Sequence, residues 1–330
     1  MLNTFKALLV SKTETGQSAA ITEMDESQLM AGDVTVRISH SSLNYKDGLA
    51  VTGKGPIIRQ FPMIPGVDFA GTVTHSDSAR FKAGDQVLLQ GWGVGEGHYG
   101  GFAQMARVKA DWLIPLPKGW SAEQAMAVGV AGFTAMRCII ALEEQGVTSA
   151  GGEVLVTGAA GGVGSVSVLL LAKLGYKVVA STRRMEEEPF LKSLGATSVI
   201  NAAELNTPVK ALAKARWAAA IDSVGSTTLA NVLSQIMPEG SVAACGLAQG
   251  MDLPTSVAPF ILRGVRLIGI NSVTTPNPLR EKAWARLSID LDRAKLASLT
   301  TKVALSDIQR YAEDIVAGKV RGRIVVDVNR

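Results

Sequence analysis

Four polar side chains stand side by side in SSLNYKDGLAVTGKG, residues 41–55: Asn44, Tyr45, Lys46 and Asp47. A tyrosine hydroxyl can hydrogen-bond a reacting oxygen or a cofactor, an asparagine amide can fix an amide or a ribose, and an aspartate can orient either through a network. The bland use of such a run is to end a strand and cap a loop. A second stretch, VTGAAGGVGSVSV, residues 156–168, has no strong nucleophile but carries glycine at 158, 161, 162 and 164. Glycines let the backbone come close to a ligand, and the unpaired N–H groups that open a helix attract an anion. The chemistry implied is a diphosphate seated on a turn, with polar side chains elsewhere acting on what it carries.

Residues 153–157 have the β-branched core of a buried strand, and 163–174 have the length and apolar repeat of a helix lying on a sheet. The dinucleotide fingerprint G-x-G-x-x-G belongs between such elements. Its register here is Ala159, Gly161, Gly164, so Ala160, Gly161, Gly162, Val163 and Gly164 are the expected contacts. A bare glycine triplet says little; a strand before it, a helix after it and a second strand at 177–181 make it specific. Enzymes for the non-phosphorylated nicotinamide commonly place an acid about 20 residues beyond the glycines. This chain has Ser181, Thr182, Arg183 and Arg184, and its first acid is Glu186. Hydroxyls and a guanidinium suit a 2'-phosphate, which favours NADPH over NADH, with one arginine serving only as an exposed helix entry. Ligands of open sheets bind beyond the carboxyl ends of strands. Ser223 in IDSVGS, Leu247 in AACGLAQG, and Ile270 and Ser272 in LIGINS are therefore expected on the nicotinamide side, with Tyr45 reaching the cofactor from the first domain.

The rest of the chain supplies the frame. Short strand-like pieces at 5–10, 34–39, 70–73 and 86–89, separated by turn signals, predict a mostly antiparallel barrel or sandwich. Ser121 and Gln124 form a capping-box pattern that opens two helical segments reaching Gly146. Strands at 153–157, 177–181, 198–200, 217–221, 241–245 and 265–270 then alternate with helices at 163–174, 186–194, 208–214 and 227–235, which predicts a doubly wound parallel sheet. A helix at 279–296 follows, and the tail ends in a strand that returns to the first domain. The expected domains are 1–124, 125–298 and a return segment 299–330.

Composition narrows the function. With 47% hydrophobic and 19% charged residues the chain folds rather than staying disordered. A net charge of +4 is too dilute for a nucleic-acid partner. Two cysteines give neither a disulfide framework nor a cysteine-rich zinc pattern and point to a reducing cytoplasm. No stretch approaches the roughly 18 uninterrupted apolar residues of a membrane span, and MLNTFKALLVSKTE reads as a first strand. Catalytic zinc needs about three converging ligands. The histidines are only His40, His75 and His98, and no cysteine precedes residue 138, so no metal is expected. Carbonyl–alcohol chemistry then loses its Lewis acid. A metal-free NADPH site suits reduction of a carbon–carbon double bond activated by a carbonyl, with hydride delivered to the β carbon and a proton to the α carbon. Charge builds on the carbonyl oxygen, where backbone donors or Tyr45 can stabilise it.

Five motifs spread over the chain, SSLNYKDGLAVTG, FPMIPGVDFAGTV, GGFAQMARV, VTGAAGGVGSVSV and GKVRGRIVVDV, resemble the zinc-free medium-chain dehydrogenase/reductases, and more narrowly the bacterial acrylyl-CoA reductase, quinone oxidoreductase-like group. The resemblance implies an α/β protein: a GroES-like, mostly β catalytic domain with a Rossmann-type doubly wound cofactor domain. It also implies NADPH-dependent reduction of acrylyl-CoA to propanoyl-CoA in an opening between the domains, and a homodimer paired through the cofactor domains, for which VRLIGI would be an edge strand. Zinc-dependent relatives carry a ligand cysteine near Asn44, and a glutamate where this chain has Asp68; both departures fit loss of the metal. Asn44, Tyr45 and Asp47 are the catalytic candidates. Arg263, Arg266, Arg321 and Arg323 are the candidates for the phosphates of a CoA thioester. The alternatives are an NADPH-dependent quinone or free-enone reductase and, from another class, a non-enzymatic NADPH-binding regulator.

Overall fold

Alternation of apolar and polar residues in TFKALLVSKT pairs Thr4–Thr13 with Gly16–Asp25 in an antiparallel hairpin. The computed structural model describes residues 4–330; the first three residues of the expected first strand region lie outside them. The chain divides into two units. One holds the chain up to Val130 together with Val273–Lys282 and Ala297–Arg330, the other Ala131–Ser272 with Ala283–Leu296.

In the first unit a seven-stranded sheet runs in the order Thr300–Ala304, Arg323–Asp327, Val34–Leu43, Asp68–Ser76, Gln86–Gln90, Leu113–Pro115, with Met105–Val108 also on Val34–Leu43. Only the pair Thr300–Ala304 and Arg323–Asp327 is parallel. Val36, Ile38, Phe69, Leu89, Phe102, Ile324 and Val326 fill its core. The return strand sets Ile324 opposite Leu43 and Val325 opposite Ser42, which brings the end of the chain to the residues before Asn44.

In the second unit six parallel strands lie in the order Ser198–Asn201, Lys177–Thr182, Glu153–Val156, Trp217–Asp222, Ile236–Ala244, Arg266–Gly269. Helices Gly162–Lys173, Glu188–Leu194 and Ser226–Gln235 connect them. The direction of winding reverses between Glu153–Val156 and Trp217–Asp222, the place where open sheets of this order take a ligand.

Four expectations are corrected. No helix forms at 208–214. Pro208 lacks an N–H, the Thr207 carbonyl accepts from Asn231 Nδ2 at 2.9 Å, and Ala213 N donates to the Ser234 carbonyl at 2.9 Å, so tertiary bonds replace helical ones. The expected helix 279–296 is two, Asn277–Asp290 and Arg293–Ser298, because Asp292 Oδ1 accepts from Ala294 N and Lys295 N at 3.0 Å and starts the second. Residues 273–282 go with the first unit: Arg280 Nη1 donates to the Gln90 carbonyl at 2.6 Å, and Asn277 Nδ2 to the Asp111 carbonyl at 2.9 Å. The division near 125 moves to Val130, just past a kink at Gly129 in the helix Ala122–Glu144. That helix is long and apolar enough to cross a membrane by composition, but 83% of its apolar window is buried in the fold, as in a core helix. Its start keeps the capping box: Gln124 N donates to Ser121 Oγ, and Ser121 N to Gln124 Oε1, both at 3.1 Å.

Candidate active site

The glycine turn is held from both sides, by Ala159 N on the Ser181 carbonyl and Thr157 N on the Ile221 carbonyl, each at 3.0 Å. Its glycines do different things. Gly158 has φ +59°, and a Cβ there would stand 2.6 Å from Ser223 Oγ. At Gly164 a Cβ would run into the Gly158 carbonyl oxygen and lie 2.6 Å from Ala159 Cα, so the helix approaches the turn only because the residue is glycine. Gly161 has an ordinary φ of −81°, and a Cβ there would meet only the Gly158 oxygen, at 3.3 Å. Gly161 itself is partly exposed. The helix Gly162–Lys173 starts there with no side-chain cap, leaving the N–H groups of Gly162, Val163 and Gly164 to an anion. These residues fit a diphosphate.

Thr157 and Asp222, at the ends of the two strands flanking the reversal, lock to one another with Thr157 Oγ1 donating to Asp222 Oδ1 at 2.7 Å. Asp222 Oδ2 accepts from Gly225 N at 2.8 Å, and burial raises its carboxyl pKa. Ser223 donates through Oγ to the Thr157 carbonyl at 3.1 Å. Gly246 stands so near that a Cβ on it would be 2.9 Å from Ser223 Cα, which brings the loop of exposed Leu247 beside Ser223. Ile270 is buried and donates its N–H to the Ala244 carbonyl at 2.9 Å; Ser272 is half-buried two residues on. At the end of Lys177–Thr182, Ser181 and Thr182 are buried, and Thr182 Oγ1 accepts from Arg184 N at 3.1 Å. Arg184 pairs with Glu187 at 3.4 Å, while Arg183 is exposed. The role of the Thr157–Asp222 lock escaped the sequence reading; its only signal was a hydroxyl and an acid ending adjacent strands.

In the first unit, Asp47 is 1% exposed and accepts from Val67 N at 2.9 Å, Asn44 N at 2.8 Å and Asn44 Nδ2 at 3.1 Å. Burial, and then the charge of Asp68, push its pKa up to about 7. Asp68 accepts from Ser42 Oγ at 2.7 Å and Val130 N at 2.7 Å; burial raises its carboxyl pKa and the nearby Arg323 opposes the rise. Arg323, 2% exposed, donates to Asn44 Oδ1 and Ser42 Oγ at 3.0 Å and to the Ala127 carbonyl at 2.9 Å, and burial pulls its pKa down. Gly129, at φ +53°, makes room: a Cβ would collide with Arg323 and stand 2.6 Å from Ser42 Oγ.

This network engages Asn44 Oδ1 and both oxygens of Asp47 inside the protein, the orienting use expected of Asp47 rather than the ribose or amide contact expected of Asn44. Their polar atoms hold the strand end, the helix Tyr45–Thr52 and the Val67 backbone together, and so position Tyr45, which is 40% exposed at the head of that helix. Arg323 is likewise no CoA contact, being sealed in the same network. Arg263 is taken up by backbone carbonyls, with Nη1 on Ser234 at 2.9 Å and Nη2 on Ala213 at 2.5 Å. Arg266 is bound to Glu239, at 2.7 Å to its carbonyl and 2.6 Å to its carboxylate. Arg321 is exposed. Zinc does not fit: among the described residues no three His, Cys, Asp or Glu side chains cluster, and Asn44 and Asp68 are already engaged with Arg323 and Ser42.

A reversing parallel sheet with a glycine turn, carried in one chain with an antiparallel β unit whose carboxylates are engaged within the protein, defines a medium-chain dehydrogenase/reductase, and the chain belongs to that superfamily. Residues 30–118 match the alcohol dehydrogenase GroES-like domain, and 162–288 the zinc-binding dehydrogenase family. The chain is 50% identical over 328 residues to acrylyl-CoA reductase AcuI of Ruegeria pomeroyi, covering 98% of this chain and 99% of that protein. The yhdH oxidoreductase of Salmonella enterica, solved in complex with NADP, superposes with a TM-score of 0.96 at 53% identity, covering 98% of this chain and 99% of that one. Bacillus subtilis yhfP, solved with NAD bound, gives 0.94 at 41% identity, covering 99% and 100%. Within the superfamily the chain stands among the zinc-independent acrylyl-CoA reductase and quinone oxidoreductase-like proteins.

Proposed function

We propose that the protein uses NADPH to reduce the carbon–carbon double bond of acrylyl-CoA, giving propanoyl-CoA without a metal. The observation that carries this reading is the turn at 158–164, where partly exposed Gly161 meets an uncapped helix start, with exposed Arg183 at the end of the next strand. The N–H groups of Gly162, Val163 and Gly164 hold the diphosphate, and Arg183 pairs with the 2'-phosphate. Bound NADPH supplies a hydride to the β carbon of the acrylyl group. Tyr45, fixed at its helix head by the Asp47 and Asn44 bonds, donates a hydrogen bond to the thioester oxygen where negative charge builds, and the enolate so formed takes a proton from solvent at the α carbon, leaving propanoyl-CoA and NADP+. Support for the thioester comes from likeness to an acrylyl-CoA reductase along nearly the whole chain.

We also propose a homodimer through the edge strand Arg266–Gly269, flanked by exposed Met251, Val257, Ile261 and Leu262. The activity is tested by following NADPH oxidation with acrylyl-CoA and with a small quinone under the same conditions. Efficient turnover of acrylyl-CoA with propanoyl-CoA as product is expected. Efficient turnover of the quinone alone replaces this reading with quinone reduction.

A further inference from the structure

Two cations in the first unit converge on one carboxylate, and the hydride step as proposed does not use them. Lys46 Nζ lies 2.8 Å from Glu96 Oε1, and Arg59 Nη2 lies 3.2 Å from Glu96 Oε2. The Glu96 side chain is 8% exposed while that of Arg59 is 72% exposed, so a buried anion holds a guanidinium out toward solvent. The backbone is fixed as well, with Arg59 N on the Glu96 carbonyl at 2.8 Å and Gln60 Nε2 on the Gly97 carbonyl at 2.9 Å.

The charge does not balance. Lys46 occupies the first turn of the helix Tyr45–Thr52, the positive end of its dipole, where a cation is unfavourable. Exposed Lys54 follows the Gly53 that ends the helix. Asp47 caps the helix end, so the single carboxylate of Glu96 answers two converging cations, with Lys54 adding a third positive charge nearby in the chain.

We propose that Lys46 and Arg59, braced on Glu96, bind the phosphates of the CoA portion of the substrate. The proposal rests on the acrylyl-CoA reading and supplies the anion contact that Arg263, Arg266 and Arg323 do not. The pantetheine arm separates the phosphates from the reacting thioester. Lys46 follows Tyr45 in the chain, and Arg59 joins Lys46 through the Glu96 carboxylate, so the two cations lie on the Tyr45 side of the unit. Arg59 then sets specificity for the CoA ester over short activated alkenes.

The test compares acrylyl-CoA with acrylyl-pantetheine, which carries no phosphate, in the wild type, Arg59→Gln and Arg59→Lys. Glutamine keeps a donor for Glu96 while removing the charge. Arg59→Gln is expected to raise KM for acrylyl-CoA about tenfold or more at similar kcat, to leave KM for acrylyl-pantetheine unchanged, and to be largely rescued in Arg59→Lys. Equal changes with both esters, or no change with either, overturn the proposal and leave the reductase reading standing. A wild type that turns over neither thioester overturns that reading and this one with it.

Discussion

Arg183 and Arg184 are neighbours with different surroundings, and the proposed 2'-phosphate contact is placed on Arg183 because of that difference. Arg184 is tied to Glu187 and to the Thr182 hydroxyl, whereas Arg183 is exposed at the mouth of the sheet. Arg183→Ala should therefore weaken NADPH binding about tenfold or more and leave NADH nearly unchanged, as measured by titration of both cofactors; an equal loss for both removes the 2'-phosphate contact. The pair was legible in the sequence as a basic strand end without an acid, with Arg183 the expected contact; the pairing of Arg184 with Glu187 was not. Arg323 was illegible for a different reason. In GKVRGRIVV it reads as a surface charge beside glycines, and only the pairing of its strand with Val34–Leu43, nearly 300 residues away, carries it under Asn44. Long-range pairing leaves no local mark.

The strand, turn and helix at 153–173 could be read locally because periodicity and small residues coincide there. What spacing could not supply was the division of labour among the glycines. Gly164 is demanded by severe backbone contact inside the protein, Gly161 only by a mildly tight one with the Gly158 oxygen at 3.3 Å. Gly164→Ala should destabilise the fold by about 1–3 kcal/mol in denaturant unfolding. Gly161→Ala should cost about 1 kcal/mol or less and yet weaken NADPH binding several-fold. The opposite ranking would place the ligand elsewhere. Where helical periodicity misled, at 208–214, the backbone bonds go to Asn231, Ser234 and Arg263 on other elements, a tertiary override that local propensity cannot show.

For the whole molecule, the alternation of elements along the chain gave away both architectures, while the unit boundaries depended on side chains such as Arg280 reaching back to Gln90. Among the described residues no strand pairs the outer edge of Arg266–Gly269, exposed apolar side chains precede it in the chain, and a second copy is the proposed cover. Sedimentation should show a dimer of the wild type and a monomer of Ile261→Glu with Leu262→Glu; a monomeric wild type rules the pairing out. The most direct measurement of the central claim is a structure of the protein with NADPH. Its diphosphate should rest on the N–H groups of Gly162, Val163 and Gly164, with the 2'-phosphate at Arg183. A nicotinamide cofactor seated away from that turn, or a metal bound at Asn44 and Asp68, would contradict the account.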